Sequence, residues 1–170
     1  MRVIVNDANI LIDLLRLDLI QVFCSLDKHK LVTTDFVFQE LLDEQKDILN
    51  TYINNGSFTI IESTDQDVTD ILTLYTSTKG LSFEDCSVWF HAKKCEGILL
   101  TGDAKLRKQS TSDGVEVRGI LFIFDELLIS ELITFELAIE KLQELYAFNN
   151  RLPQSAKNDR LEKWSQFRHV

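Results

Sequence analysis

Four acidic residues stand where apolar runs of the sequence break off: Asp7, Glu40, Asp85 and Asp103. Asp7 follows Val3-Ile4-Val5-Asn6, and Asp103 follows Ile98-Leu99-Leu100-Thr101-Gly102. Glu40 ends the stretch that starts at Leu31, and Asp85 ends Leu81-Ser82-Phe83-Glu84. If these runs are strands of one parallel sheet, or lead into its helices, the carboxylates gather at one edge. Like charges brought together raise one another's pKa and repel unless a divalent cation joins them. The chemistry such a set can do is metal-dependent reaction at a phosphate ester.

The chain has 27 acidic residues, so these four need a reason. Glu40 lies four residues after Phe36 and three after Val37, which places it beside an apolar helical stripe. Asp85 interrupts a similar stripe formed by Leu81, Val88 and Trp89. A carboxylate in such surroundings costs free energy unless it is paired or metal-bound. Its neighbour Glu84 points elsewhere and reads as a surface acid. Asp7 and Asp103 follow strands, where open parallel sheets bind their ligands. Thr101 can offer a hydroxyl to a phosphate or a metal water, and Gly102 allows close backbone approach. Each acid also has an ordinary structural alternative. Asp7 and Asp103 can cap the helices that follow them, Asp85 can be the capping partner of Ser82, and Glu40 can pair with a cation.

The elements that must position these residues alternate between strand and helix. Short strands are expected at Arg2 to Asn6, Leu31 to Thr33, Phe58 to Ile61, Gly97 to Leu100 and Val115 to Val117. Helices are expected at Asn9 to Leu15, Asp18 to Leu26, after a Thr34 or Asp35 cap, and at Glu44 to Asn54. Further helices are expected at Asp65 to Thr78, Ser82 to Lys94 and Ala104 to Lys108, with two long ones between Leu121 and Phe148. This alternation implies an α/β chain whose parallel sheet is covered on both faces. Residues 1–150 read as one domain, and 151–170 as a polar basic tail or short helix near Arg160 to Phe167.

Composition narrows the class. The 170 residues can bury a full core, and one proline with six glycines argues against long linkers. No apolar run approaches the roughly 20 residues that span a bilayer. No membrane association is therefore expected, and a cytoplasmic location is the default. Cys24, Cys86 and Cys95 are too few and too irregular for a disulfide framework. His91 and Cys95 can chelate zinc from one helix, or simply pack there. The net charge of −9 speaks against non-specific nucleic-acid binding, although an acidic metal site contributes to it. Residues 149–170 reverse the sign, with five basic residues against two acids.

The ordered segments resemble the PIN-domain family. Val5-Asn6-Asp7-Ala8-Asn9-Ile10-Leu11-Ile12-Asp13-Leu14 is similar to its opening, and Phe36-Val37-Phe38-Gln39-Glu40-Leu41 to its first acidic helix. Leu81-Ser82-Phe83-Glu84-Asp85-Cys86 is similar to its Leu-Ser-x-x-Asp-Ala segment, with Cys86 in place of alanine. Leu100-Thr101-Gly102-Asp103-Ala104-Lys105-Leu106-Arg107 resembles its Thr-x-Asp-x-x-Leu-Arg segment, and Val115 to Gly119 its last strand. The resemblance implies a three-layer α/β/α sandwich, Rossmann-like, with a central parallel sheet of four to five strands. It also implies an endoribonuclease using Mg²⁺ or Mn²⁺. Many small stand-alone members are toxins of type II toxin–antitoxin pairs, often dimeric.

On that reading Asp7 and Asp85 are the expected metal ligands, with Asp103 and Glu40 completing or supporting the set. Asn9 would orient Asp7 or cap a helix, and Lys105 and Arg107 would contact RNA phosphates or lie on a solvated face. Expected partners are an RNA substrate, an antitoxin and a second copy of the chain, the last two through Ile20, Val22 and Phe23 if these do not pack internally. The competing classes are a catalytically inert binding module and another phosphoryl-transfer hydrolase. The latter is disfavoured because Asn9 stands where a second aspartate would be needed.

Overall fold

A computed structural model of the protein describes residues 1–165. Five strands, β1 (Arg2–Asn6), β2 (His29–Thr34), β3 (Thr59–Ile61), β4 (Ile98–Leu100) and β5 (Glu116–Arg118), form one sheet in the order β3-β2-β1-β4-β5. Every pairing is parallel. The strands are short and rich in branched apolar residues, and Ile4, Val5, Ile98, Leu99 and Leu100 are buried. That burial from both sides is what a parallel sheet requires of its central strands.

The chain leaves β1 toward β2 and β3, then returns to the other side of β1 for β4 and β5. Right-handed crossovers in opposite directions place helices on opposite faces. One face carries α1 (Ala8–Arg16), α2 (Ile20–Phe23), α3 (Asp35–Glu40) and α4 (Asp43–Asn54). The other carries α5 (Asp65–Ser77), α6 (Phe83–Lys94) and α7 (Ala104–Ser112). Helix α8 (Ile120–Ile129) packs on α2, α9 (Phe135–Phe148) on α8, and α10 (Gln154–Trp164) on α9. Helix α6 lies across β2, β1 and β4 and buries Cys86, Val88, Trp89 and Ala92. The reversal of direction between β1 and β4 makes their carboxyl ends the switch point of the sheet, where such folds hold ligands.

Several elements differ from expectation for identifiable reasons. The second helix is only Ile20–Phe23, because Asp18 adopts a left-handed conformation (φ 55°) that breaks the run. Ile20 and Phe23 are buried in this chain's own core and Val22 is half-buried, so the surface expected there is spent on folding. Helix α7 runs on to Ser112, past the expected Lys108, through a polar run. Leu106 and Ser110 share its buried side, and the Ser110 hydroxyl donates to the Leu106 carbonyl at 2.6 Å. The last helix begins at Gln154, well before Arg160; Phe167 lies outside the described residues. No described helix is long and apolar enough to cross a membrane.

Helix α10 is anchored by few groups. Trp164 is fully buried and stacks on Phe124 at 5.7 Å. Its indole N–H donates to Asp125 Oδ1 at 2.7 Å. Arg160 and Lys163 reach Asp125 Oδ2 at 3.0 and 3.3 Å, so the carboxylate inside apolar α8 is balanced by two cations. Trp164→Ala is expected to cost about 3–5 kcal/mol in urea unfolding, the range for emptying a large buried aromatic site. A loss below about 1 kcal/mol would show that α10 is not part of the cooperative core.

Candidate active site

Pairing of Asn6 with Leu100 sets Asp7 beside Thr101 at the carboxyl ends of β1 and β4. The Asp7 amide extends the ladder by donating to the Leu100 carbonyl at 3.0 Å. Its side chain then turns back to cap α1, Oδ1 accepting from the Ala8 amide at 2.8 Å. Oδ2 accepts from the Thr101 hydroxyl at 2.6 Å and from the Asn9 amide at 2.5 Å. Asn9 in turn accepts from the Gly102 amide at 2.8 Å through Oδ1. A Cβ at position 102 would lie 3.1 Å from that oxygen, which explains a glycine in this turn. Arg107, expected to contact RNA phosphates or lie on a solvated face, instead donates to the Thr101 carbonyl at 2.9 Å and ties down the β4 turn.

Asp7 is 3% exposed. Its pKa is raised to about 6, by burial first and by the Asp85 charge as well, against the pull of its three hydrogen bonds. Glu40, the last residue of α3, is exposed rather than seated in an apolar stripe. Its pKa is also raised, first by partial desolvation, then by the charges of Glu84, Asp7 and Asp85. Four carboxylates therefore share one field. Glu84, read as a surface acid from sequence, is among them; its position at the start of α6, facing the end of α3, was not visible from spacing alone.

A buried hydroxyl pair sets the two acidic helices against each other. The Ser87 hydroxyl donates to the Glu84 carbonyl at 2.7 Å. Its proton is thus committed, so the Thr34 hydroxyl is the donor in their mutual contact at 2.8 Å. Thr34 also caps α3 by accepting from the Val37 amide at 3.2 Å. The sequence offered no carboxylate or cation to draw attention to this pair.

The other expected residues have mixed fates. Asp85 forms a capping box with Ser82, Oδ2 accepting from the Ser82 amide at 2.8 Å. No hydrogen bond among the described residues engages its Oδ1. Asp103 caps α7 by accepting from the Leu106 amide at 2.7 Å, and it is not among the charges that shift Asp7 or Glu40. The Lys105 ammonium lies against Gly80, close enough that a Cβ there would meet it at 1.9 Å. It thus borders the loop leading to Asp85. His91 faces the Ser63 hydroxyl at 3.1 Å, while Cys95 Sγ lies 3.7 Å from the Ala92 carbonyl, a local helix-end contact. Among the described residues no three His, Cys, Asp or Glu side chains stand together as a metal-holding group. His91 and Cys95, read from the sequence as a possible zinc pair, thus face different partners.

Because the folded pKa of Asp7 is raised from 3.8 to about 6, the folded state binds its proton more tightly than the unfolded chain. The associated stability is present below the lower value and is lost as pH rises through the higher one. At about 1.4 kcal/mol per pKa unit the loss is roughly 3 kcal/mol. Asp7→Asn is expected to melt above the parent protein at pH 8, with the difference shrinking toward pH 4. A pH-independent difference would refute the buried, strained carboxylate.

A family model described as a PIN domain (DUF3368) matches residues 3–166. Among curated proteins none matches. Solved structures of similar fold include a domain of a functionally unknown protein from Methanocaldococcus jannaschii DSM 2661. That similarity has a TM-score of 0.50 and 17% identity, covering 70% of this chain and 91% of that one. At that identity the likeness speaks to fold alone. The family match spans nearly the whole chain and carries the acidic segments with it, and the protein therefore belongs to the PIN-domain family.

Proposed function

We propose that this protein is an endoribonuclease using Mg²⁺ or Mn²⁺, with Asp7, Asp85, Glu40 and Asp103 as its acidic set. PIN domains are commonly nucleases that use divalent metals. The observation that carries the reading is the gathering of carboxylates at the β1–β4 switch point, where burial first and neighbouring carboxylates second push Asp7 and Glu40 toward protonation. The donor set fits a hard cation: it is all carboxylate oxygen, and Mg²⁺ commonly takes one or two carboxylates with water and phosphate completing its shell. Asp7 and Asp85 would hold it.

The ion, when bound, supplies acidified water and charge compensation at the phosphate. Thr101 and Asn9 fix the Asp7 carboxylate so that it cannot swing away from the site. Glu40, exposed and with a raised pKa, is suited to take the proton of the attacking water. The water oxygen bonds to phosphorus, the bridging P–O bond breaks, and the departing oxygen is protonated from solvent. Asp103 supports the turn from the other side. As the toxin of a toxin–antitoxin pair the protein would carry this activity under control of an antitoxin, alone or as a dimer.

One observation favours a second reading, an inert PIN-like module. Asp7 and Asp103 cap helices and Asp85 completes the capping box of Ser82, roles that need no chemistry. Titration calorimetry with Mn²⁺ separates the two, since an inert module binds none at millimolar metal. Asp7→Asn and Asp85→Asn are each expected to lower Mn²⁺-dependent RNA cleavage by at least about 100-fold, equivalent to roughly 3 kcal/mol of barrier. Full activity in both variants would overturn the assignment.

A further inference from the structure

Three polar residues outside the acidic set meet from separate elements. Asp35 is the first residue of α3, Ser63 follows β3, and His91 lies on α6. The Ser63 hydroxyl donates to Asp35 Oδ1 at 2.9 Å and lies 3.1 Å from His91 Nε2. The Ser63 amide donates to Asp35 Oδ2 at 3.1 Å, and the Phe36 amide to Oδ1 at 3.0 Å. A hydroxyl has one proton to give, and a carboxylate only accepts. The Ser63 proton therefore belongs to Asp35, and His91 donates to Ser63 through Nε2–H. This is the reverse of a nucleophile and its base, in which the imidazole accepts from the hydroxyl. His91 is 3% exposed, and no hydrogen bond among the described residues engages its Nδ1. A second proton would sit on Nδ1 without an acceptor. The charged groups that act on the ring are Asp67 on α5, Asp35 on α3 and Lys94 on its own helix. Asp67 is already bound to Lys94 at 2.6 Å, and Asp35 already accepts three hydrogen bonds. Burial first, and Lys94 as well, hold the pKa of His91 below its ordinary 6.5 against the pull of Asp67 and Asp35.

We propose that Asp35, Ser63 and His91 form a proton-sensitive clasp that holds α3, and with it Glu40, against α6. The two helices carry acids of the candidate site, Glu40 at the end of α3 and Glu84 and Asp85 at the start of α6. Helix α3 has six residues. A tilt at Asp35 is therefore carried to Glu40 only about 7.5 Å away, at 1.5 Å per residue. The Thr34–Ser87 contact joins the same helices one turn earlier on α6, and Phe36 meets Phe83 at 4.8 Å. The clasp adds the segment after β3 to that joint and makes it depend on a titrating group. Charging His91 puts a donor without an acceptor into the joint and loosens it. The clasp stands apart from the nuclease reading, although Glu40 belongs to both.

Nitrogen–proton correlation NMR of the imidazoles in EDTA at pH 8, with His91 assigned by comparison with His91→Gln, tests the proton direction. The expected form is neutral with its hydrogen on Nε2. A hydrogen on Nδ1 would mean that Ser63 donates to His91, and overturns the clasp. Melting curves test the response to acid. Because the folded pKa of His91 lies below 6.5, its stability is present above that value and is lost as pH falls through the lowered one. His91→Gln can donate from its amide in the place of Nε2 but cannot charge. Its melting temperature relative to the parent's should therefore rise from pH 8 to pH 5. Asp7 titrates in both proteins and cancels in the difference. A difference that stays constant or falls overturns the proposal. Hydrogen exchange locates the effect. In Ser63→Ala the α3 amides of Val37 and Phe38 should exchange at least about 5-fold faster, the scale of one lost hydrogen bond. Val5 and Leu99 in the central strands should exchange as in the parent, and Ser63→Thr, which keeps the hydroxyl, should match the parent throughout. Unchanged exchange on α3, or equal acceleration in the strands, overturns the clasp. None of these measurements uses metal or RNA. Their failure leaves the nuclease reading to the cleavage assay of Asp7→Asn, and failure of that assay leaves the clasp standing.

Discussion

A carboxylate kept out of water at the junction of two parallel strands is the constraint on which the arrangement depends. Asp7 cannot move toward solvent without losing its cap on α1 and its bonds to Thr101 and Asn9. No cation is among the charges that act on it, and Arg107 nearby is committed to the Thr101 and Val117 carbonyls. The remaining energy cost appears as affinity for a proton. Much of the surrounding sequence can be understood as holding that cost in place. Gly102 permits the turn, the Asn6–Leu100 register sets its position, and the Thr34–Ser87 pair locks the second acidic helix against the first.

The legible part of this design was the part written in periodicity. Alternating apolar runs exposed the strands and hence the parallel sheet, and the Ser-x-x-Asp pattern at Ser82 revealed the start of α6. The acids at strand ends could be found because strand ends are local features. What could not be found depended on through-space geometry or on conformations that residue type does not dictate. Asp18 gave no composition signal of its left-handed turn. Glu84 and Glu40 face each other across elements separated by more than forty residues, and helical spacing assigned Glu40 to a stripe when it sits at an exposed helix end. Arg107 looked like a surface cation because nothing in a linear pattern shows two carbonyls waiting for it.

The clustering of carboxylates is tied to helix capping. A helix N-terminus just past a strand favours a carboxylate electrostatically, whether or not chemistry occurs there. The same geometry that makes Asp7 and Asp103 good caps places them at the ends of neighbouring strands.

Asp125 has a consequence for how the chain can be divided. By composition, the segment after Asn149 looks detachable, polar and poor in apolar residues. Yet the Asp125 carboxylate, seated in an otherwise apolar helix, has its charge balanced from that segment alone among the described residues, by Arg160 and Lys163 with the Trp164 indole. Cutting the chain at Asn149 would strand a bare anion on a greasy surface. A shorter version of this protein would need a neutral residue at position 125 before it could be expected to behave as a well-mannered, non-sticky molecule.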